Sequence, residues 1–518
     1  MKVLTLFAEP VVYETVHNKI SDTIYNRVIT KDTIKSFLSI TDFGAVGNGR
    51  YDNADAIMTA CNYVIAHPQP LIVPIGNFYT SRPILLQNHG QFFTIHLSGV
   101  LPNKSASNEY LSRITYGGKS GYAFGIQLGR GIVIENLTIT GQYTFSNSVT
   151  NANIGTLKFS DWIDKTITDD RNHPYAAISI DPHANVGGSA GGTSDVTIQN
   201  CSIRQWMVGI CLSPSGVTLN DEMINILEDD IESCRVAIAI CQDQSKTINI
   251  RGLKVWASVH TVLDGVTYGR GTGGGSVFCE NWNIAGNCNE LFNLNTDRFP
   301  LSCKDIYSES LFRIGYVGFG TGANFINTQI DFLSGPGMPE ADYLVAGQAN
   351  FYGGMLRYYD NDMYHRMNLS NFGGAMRDMV FNTIPFTVGL FGGQPAPEPI
   401  IDNVNLYYYN GGGGKKLVRP YETATKIRCN ITFDKKTWTA TLTKSDVPLP
   451  QMNIGDYILG APGSSYRKYY DPYINPQNCA TVQIGRVAAI HGQIITLDKV
   501  GLNAPNIGYD AIYIDRMQ

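Results

Sequence analysis

Residues 198–212 read IQNCSIRQWMVGICL, and residues 226–240 read ILEDDIESCRVAIAI. The two stretches share apolar residues at their first, sixth, thirteenth and fifteenth positions and a polar residue at the third. The first half of this pattern is repeated along the chain. Its starting residues are Ile134, Ile198, Ile226, Ile250, Cys279, Cys303, Phe325, Phe351, Met376 and Ile401.

The spacing of the repeat indicates a solenoid. From Ile198 onward the offsets are 28, 24, 29, 24, 22, 26, 25 and 25 residues. One turn of a parallel β-helix needs about 25 residues, because it contains two or three short strands joined by bends. The polar third position fits a bend, since Asn, Gly and Asp tolerate left-handed backbone and stacked Asn side chains hydrogen-bond from rung to rung.

A second pair of positions follows four of the starts by 12 and 14 residues; its first residue is apolar in all four and its second in two, and the period-2 spacing predicts another inward-facing strand. These pairs are Ile210 and Leu212, Ile238 and Ile240, Val262 and Asp264, and Leu291 and Asn293. The sequence therefore predicts an all-β protein, with a parallel β-helix from about residue 70 to 410.

Composition excludes several other classes of protein. Only 16% of residues are charged, while Gly contributes 53, Tyr 29 and Phe 22, which disfavours a helical bundle or coiled coil. The net charge of −5 gives no basic surface for nucleic acid or an anionic membrane. No apolar stretch approaches the length of a membrane span, so we expect no membrane insertion. The ten cysteines form no metal-like pairs, and we expect them to be small core residues, with no metal and no cofactor.

Three regions are expected. Residues 1–38 form an N-terminal leader in which Val16, Ile20, Ile24 and Val28 recur at helical spacing. Residues 39–412 form the β-helix, and the long gap between Ile134 and Ile198 predicts an insertion at about 142–193. Residues 413–518 lose the repeat after GGGG, and the stretches 431–443, 481–490 and 493–500 predict strands of a separate C-terminal β domain.

The segment ITDFGAVGNGRYDNADAIMTACNYV (40–64) resembles the opening segment of the pectate-lyase-3-like right-handed β-helix superfamily, in which a DFGAVGDG motif precedes a helix. Asn48 stands where the motif has an acidic residue. The helix is also expected from the residues themselves, with Asp52 as N-cap and Ile57, Cys61 and Val64 as its apolar stripe. The following stretch, 71–86, is similar to the superfamily's first rung, where a Pro-x-Gly turn separates two strands.

Within that superfamily, the chain looks like a bacteriophage tailspike or tail-fibre protein. The resemblance implies a right-handed β-helix, a homotrimer, a bacterial surface polysaccharide as partner, and contacts with phage tail or baseplate proteins. It also implies a virion location. Met1–Ala8 is stopped by Glu9 before it can serve as a signal-peptide core, so we expect synthesis in the host cytoplasm.

The phase of the repeat predicts which side chains face solvent. The sixth position points inward, so its two neighbours in each rung point outward. Read down the stack, one exposed face concentrates carboxylates with aromatic and basic residues, a surface suited to sugar rings and hydroxyls. The candidate substrate-binding residues are Arg204, Lys254, Trp256, Tyr307 and Arg357, with Trp162 from the insertion.

Two pairs of carboxylates on this face are candidate catalytic residues. Glu309 and Asp331 lie one rung apart, at the rung spacing of about 4.7 to 4.9 Å. Asp230 and Glu232 lie two residues apart on one strand, about 7 Å. Retaining glycosidases need carboxyl groups about 5 to 5.5 Å apart and inverting ones about 6.5 to 9.5 Å apart, so either pair fits a glycoside hydrolase.

Alternative functions stay open at this point. A non-catalytic tail fibre or adhesin would use the same face for binding alone. A polysaccharide lyase would need a base near a neutralised uronate, and Lys254, Tyr307 and Arg357 are candidates. The fragment Asn295-Thr296-Asp297 is similar to one polygalacturonase motif, but the other motifs of that family do not follow it.

Overall fold

The computed structural model is almost entirely β. It describes residues 37–100, 110–145, 175–183, 192–214, 221–241, 246–264, 275–294, 300–318, 322–333, 341, 343–358 and 372–381, and from 400 onward mainly the strands named below. A short 3-10 turn (Ile40–Phe43) and one helix, α1 (Ala54–Ala66), precede most of the strands.

The strands of the first and larger sheet are, in chain order, β1 (Leu38–Ser39), β2 (Asn48–Asp52), β3 (Leu71–Val73), β4 (Gly76–Thr80), β5 (Ile84–Leu86), β6 (Phe93–Gly99), β7 (Ser112–Tyr116), β8 (Tyr122–Ile126), β9 (Gly129–Glu135), β10 (Thr138–Thr140), β11 (Ala176–Ile180), β12 (Ser194–Gln199), β13 (Ser202–Arg204), β14 (Val208–Leu212), β15 (Glu222–Leu227), β16 (Asp230–Glu232), β17 (Val236–Ile240), β18 (Lys246–Arg251), β19 (Lys254–Trp256), β20 (His260–Asp264), β21 (Val277–Ala285), β22 (Cys288–Asn293), β23 (Leu301–Tyr316), β24 (Ala323–Phe332), β25 (Val345–Tyr358), β26 (Phe372–Arg377), β27 (Val380–Phe381), β28 (Ile400–Asp402), β29 (Asn405–Asn410) and β30 (Gly414–Val418).

These strands form a right-handed parallel β-helix, as the sequence predicted. Each turn of the solenoid contributes to three faces. The first face runs from β1 and β3 through β12 and β15 to β28, the second from β2 and β4 through β13, β16 and β19 to β29, and the third from β5 through β14, β20 and β22 to the end of β23 and the start of β25. In the later rungs single long strands, such as β24, pass from the first face into the second.

The column of repeat starts is confirmed. Each start pairs with the next in parallel register, from Ile134 with Ile198 to Met376 with Ile401. Every start up to Met376 is buried, with at most 2% of its surface exposed. Phe325 and Phe351 stack with ring centroids 4.5 Å apart, so the interior is a continuous apolar column that one rung alone is unable to bury.

The expected left-handed bend is also confirmed. The third-position residues with φ between 51° and 69° are Asn136, Asn200, Glu228, Gly252, Asn281, Asp305, Asn327, Gly353 and Asp378. Asn327 donates to the Asp305 carboxylate in the rung before it, at 2.6 Å. This column therefore closes each first-to-second-face bend with residues that tolerate positive φ, and Glu228 is its one poorly suited member.

Helix α1 covers the start of the solenoid with the predicted stripe, since Ile57, Cys61 and Val64 are buried. Its N-cap residue, however, is Asn53 and not Asp52. The Asp52 carboxylate accepts hydrogen bonds from the backbone of Ala54 and Ser81. The Pro-x-Gly turn separates β3 from β4 as expected, and the leader, residues 1–36, lies outside the described residues.

Two predictions made from the spacing were wrong, the C-terminal limit of the insertion and the register of one third-face strand. Residues 176–180, assigned to the insertion, form a regular third-face strand that pairs with β8 and β14. Phe292, and not Leu291, pairs with Val262, because the turn from Ala285 to Glu290 has one residue more than the turn from Trp256 to His260. Phe292 contacts the rings of Trp282 and Phe325, at centroid distances of 5.7 and 5.9 Å.

A buried array of charged groups crosses three successive rungs of the third face. His260, Glu290 and Arg313 pair in register, and each is at most 2% exposed. Arg313 Nε donates to Glu290 Oε1 at 2.9 Å, and His260 Nδ1 lies 2.7 Å from Glu290 Oε2. Burial lowers the pKa of His260 despite the carboxylate, so a neutral imidazole leaves Glu290 and Arg313 as a balanced pair.

The eight described cysteines are buried free thiols, as expected for core residues. Burial raises the pKa of Cys61, Cys234 and Cys288 to about 12, so these thiols are unreactive.

The C-terminal residues form a separate antiparallel sheet of eight strands. The stretch 431–443, predicted as strand, is a hairpin of two paired strands. The strands are β31 (Thr425–Ile427), β32 (Cys429–Asp434), β33 (Thr439–Ser445), β34 (Tyr457–Ala461), β35 (Val482–His491), β36 (Ile494–Val500), β37 (Gly508–Tyr509) and β38 (Ala511–Asp515).

Replacing Glu228 with Asn should stabilise the protein by about 0.5 to 1 kcal/mol, because Asn tolerates the left-handed backbone that Glu228 is forced to adopt. Asn200→Ala, which removes a well-suited residue from the same column, should lower the free energy of unfolding by about 1 kcal/mol. Gln199→Ala, in extended backbone beside it, is the control and should change the free energy of unfolding by less than about 0.5 kcal/mol. Denaturant titration of the three variants measures this, and a loss of stability in Glu228→Asn would contradict the account of the bend.

Glu290→Gln should destabilise the protein by about 3 to 5 kcal/mol, since it leaves the Arg313 guanidinium buried without its counter-charge. Glu280→Gln is the matched control, because Glu280 pairs with Lys304 at an exposed site and its loss should cost about 1 kcal/mol or less. The array also predicts that the free energy of unfolding falls as pH drops below about 6.5, because the unfolded chain then protonates His260 while the folded chain does not. An equal loss of stability in Glu290→Gln and Glu280→Gln would show that the buried ion pair of Glu290 and Arg313 stabilises the fold no more than an exposed pair does.

Candidate functional site

The second face carries the predicted solvent-facing columns. Asp230 pairs with Lys254, and Glu232 pairs with Trp256, on β16 and β19. In the next rungs Lys254 is opposite Asn283, and Asn283 is opposite Tyr307. Between the two columns the sixth-position residues, from Ile203 through Ile330 to Leu356, are buried. The inward-facing sixth position inferred from the repeat is therefore confirmed on this face.

A surface pocket of about 290 Å³ lies on these columns. It is the candidate functional site, and it unites two acids from β16 with a third from β23. Its lining residues are Arg204, Asp230, Glu232, Lys254, Val255, Trp256, Asn283, Ala285 and Glu309. Trp256 pairs in register with Ala285, whose small side chain also lines the pocket.

Arg204 holds Glu232 at one end of the pocket. Its Nη1 lies 2.9 Å from Glu232 Oε2, and its Nε donates to Ser202 Oγ at 3.0 Å. The Arg204 side chain is only 14% exposed, so the ion pair is more rigid than a typical surface pair. Arg204 thereby fixes where the Glu232 carboxylate points.

A β-bulge lies at the other end. Ser308 pairs with Ile330 and Leu311 pairs with Phe332, so the two residues Glu309 and Ser310 stand opposite the single residue Asp331. Bulges re-aim side chains and are common next to active sites. Here Glu309 is exposed on the rim of the pocket, while Asp331 is only 2% exposed.

The expectation that Asp331 faces solvent was therefore wrong. Arg357 binds its carboxylate with two hydrogen bonds, Nε to Oδ1 at 2.6 Å and Nη2 to Oδ2 at 2.7 Å. This bidentate pair engages both residues. Glu309 lines the pocket together with Asp230 and Glu232, whereas Asp331, in the rung next to Glu309, does not line it.

Tyr307 and Tyr110 interact electrostatically with acids of the pocket, Glu309 and Asp230 respectively. Burial, with the negative charges of Glu309 and Asp331, raises the pKa of Tyr307, so it carries its phenolic proton at neutral pH. Tyr110 is buried, and burial together with Cys201 and nearby carboxylates that include Asp230 raises its pKa to about 12. Tyr110 was missed from sequence because it lies outside the repeat.

Two further candidates from the sequence, Trp162 and the fragment 295–297, lie outside the described residues. Among the residues that the structure describes, no group of three or more His, Cys, Asp or Glu side chains is arranged to hold a metal ion. The described part of the chain likewise has no helix long and apolar enough to cross a membrane.

No family model and no curated protein sequence matches this chain. Among solved structures, the chain is similar to the Agl-KA catalytic domain, with 13% identity over 68% of this chain and 58% of that domain and a TM-score of 0.40. The N-terminal fragment of gene product 12 of bacteriophage Phi29 gives 13% identity, 71% and 66% coverage and a TM-score of 0.38. The DFA-IIIase of Arthrobacter chlorophenolicus A6, in complex with DFA-III, gives 10% identity, 68% and 85% coverage and a TM-score of 0.40. These similarities are too distant to assign an activity.

The bulge predicts different roles for its two acids. Asp331→Asn should lower the free energy of unfolding by about 1 to 3 kcal/mol, because Arg357 loses a charge-assisted partner. Glu309→Gln should change it by less than about 0.5 kcal/mol, because Glu309 is exposed. Thermal or denaturant unfolding of the two variants gives the comparison, and a larger loss in Glu309→Gln would reverse these roles.

Proposed function

We propose that the chain is a phage tailspike that binds a bacterial surface polysaccharide and hydrolyses it. The observation that supports this is the pocket itself, which combines an exposed indole with three carboxylates and a lysine on one rigid sheet face. Indole faces stack on the C–H faces of sugar rings, and carboxylates accept hydrogen bonds from hydroxyl groups. Sites built on strands also hold their side chains more precisely than loops do.

The proposed chemistry divides the acids between the ends of the pocket. Glu309 donates a proton to the glycosidic oxygen, with the protonated Tyr307 beside it. At Glu309 the nucleophile is water from solvent. Asp230 and Glu232, about 7 Å apart on one strand at the opposite end, are the candidate acid and base of an inverting reaction. Three rung steps separate Glu232 from Glu309, about 14 Å between backbones, so Glu309 and this pair act on different glycosidic bonds of one extended sugar chain.

A non-catalytic tail fibre or adhesin is the second candidate. The observation in its favour is the ion pair of Glu232 with Arg204, which occupies one of the acids. A lyase is less well supported by the same geometry. Arg357 is bound to Asp331, and the raised pKa of Tyr307 makes its phenolate a poorer candidate for the base.

The test of hydrolysis uses a panel of capsular and O-antigen polysaccharides. We expect new reducing ends from at least one of them. Glu309→Gln, Asp230→Asn or Glu232→Gln should lower turnover about 100-fold or more with binding nearly unchanged. Trp256→Ala should instead weaken binding by about 1 to 3 kcal/mol. Binding without new reducing ends or unsaturated products would favour the adhesin, and full activity in all three amide variants and in Asp331→Asn would refute the assignment.

We also propose a homotrimer that is part of the virion and contacts phage tail or baseplate proteins. Cyclic symmetry would let flanks of the solenoid pair while the polysaccharide face stays open. Light scattering at micromolar concentration should give three times the chain mass of 56.9 kDa. A mass near that of one chain would count against the trimer.

A further inference from the structure

The indole of Trp256 lies against a glycine of the next rung. Trp256 projects from the second face and is 52% exposed. A Cβ placed on Gly286 would lie 2.6 Å from the indole atoms Cε2 and Nε1 and 2.7 Å from Cδ2. A side chain at position 286 would therefore have to displace the indole, whereas glycine lets the ring lie against this bend.

Gly286 occupies a bend that elsewhere carries side chains. The residues that follow the second face in successive rungs are Gln205, Ser233 and Ala257, with φ of 61°, 54° and 54°. Gly286 is next in this column, with φ of 70°. Positive φ alone is therefore not what requires glycine here, because three other residue types adopt it in the same column. The contact with Trp256 supplies the missing reason.

The same bend is connected to the acid at the far end of the pocket. The backbone N–H of Asn287 donates to Ser310 Oγ at 3.0 Å, and Ser310 is the bulge partner of Glu309. Asn287 belongs to the turn from Ala285 to Glu290, which is one residue longer than the matching turn in the rung before it. The support under the indole and the bulge that exposes Glu309 are thus joined by one hydrogen bond across adjacent rungs.

We propose that Trp256 on Gly286 forms the subsite that holds one pyranose ring of the substrate, and that Gly286 is its positioning residue. The inference rests on the proposed function and adds the subsite to it. The open side of the indole stacks on the C–H face of the sugar. Ala285 leaves room for the ring, and the neighbouring glycosidic oxygen then lies towards Glu309.

The experiment compares two glycine variants. Gly286→Ala introduces a Cβ that collides with the indole. Gly353→Ala introduces the same Cβ at a similar φ of 66°, where nothing lies within 4 Å, and it is remote from the pocket lining. Binding of a polysaccharide that the wild-type protein binds in the panel is measured for both variants, with Trp256→Ala and the double variant Trp256→Ala/Gly286→Ala. Acrylamide quenching of Trp256 fluorescence, taken as the difference from Trp256→Ala, reports the position of the ring without any substrate.

We expect Gly286→Ala to weaken binding about tenfold and to increase the quenching of Trp256, while Gly353→Ala changes neither. In the Trp256→Ala background, Gly286→Ala should have no further effect on binding. Wild-type binding in Gly286→Ala, or an equal loss in Gly353→Ala, would overturn the role of Gly286. Failure of the wild-type protein to bind any polysaccharide would instead overturn the proposed function, and the quenching difference would still show whether Gly286 positions the ring.

Discussion

Parallel backbone hydrogen bonding between rungs is the constraint on which this molecule depends. It holds each rung about 4.8 Å from the next and keeps side chains in register, so a residue's environment is set by its column more than by its neighbours in sequence. The column from Ile134 to Met376 is buried because every member faces the same interior. The register survives differences in loop length because the bends at positive φ restart each strand at the same place. Loops can therefore vary while the faces stay aligned.

This periodicity explains why much of the fold was predictable. The first-face column, the left-handed bend and the inward sixth position of the second face all follow from residues spaced about 25 apart, and all three were confirmed. The wrong third-face register and the wrong limit of the insertion share one cause, a local change in chain length that spacing does not reveal. The extra residue after Ala285 shifted the third face from Leu291 to Phe292, and residues 176–180 form a rung within the stretch assigned to the insertion.

The candidate site shows the same limit more sharply. Sequence placed Glu309 and Asp331 in one exposed column, but the bulge at Glu309 and Ser310 separates them, exposing one acid and burying the other under Arg357. The support of Trp256 by Gly286 was equally hidden, because a glycine in a bend gives no signal of what lies above it. Both features arise where the regular stack is interrupted. The bulge at Glu309 and the longer turn after Ala285, rather than the repeat, distinguish this part of the face from the other rungs.

The central claim is that a sugar chain lies along the second face, with one ring on Trp256 and a glycosidic oxygen beside Glu309. The most direct measurement is a crystal or cryo-electron microscopy structure of the Glu309→Gln variant with a bound oligosaccharide prepared from a polysaccharide that the protein binds. The account predicts a pyranose ring stacked on the indole and a glycosidic oxygen within hydrogen-bond distance of the residue at position 309. An oligosaccharide held by the 142–193 region, or in a groove between subunits and away from Trp256, would contradict it.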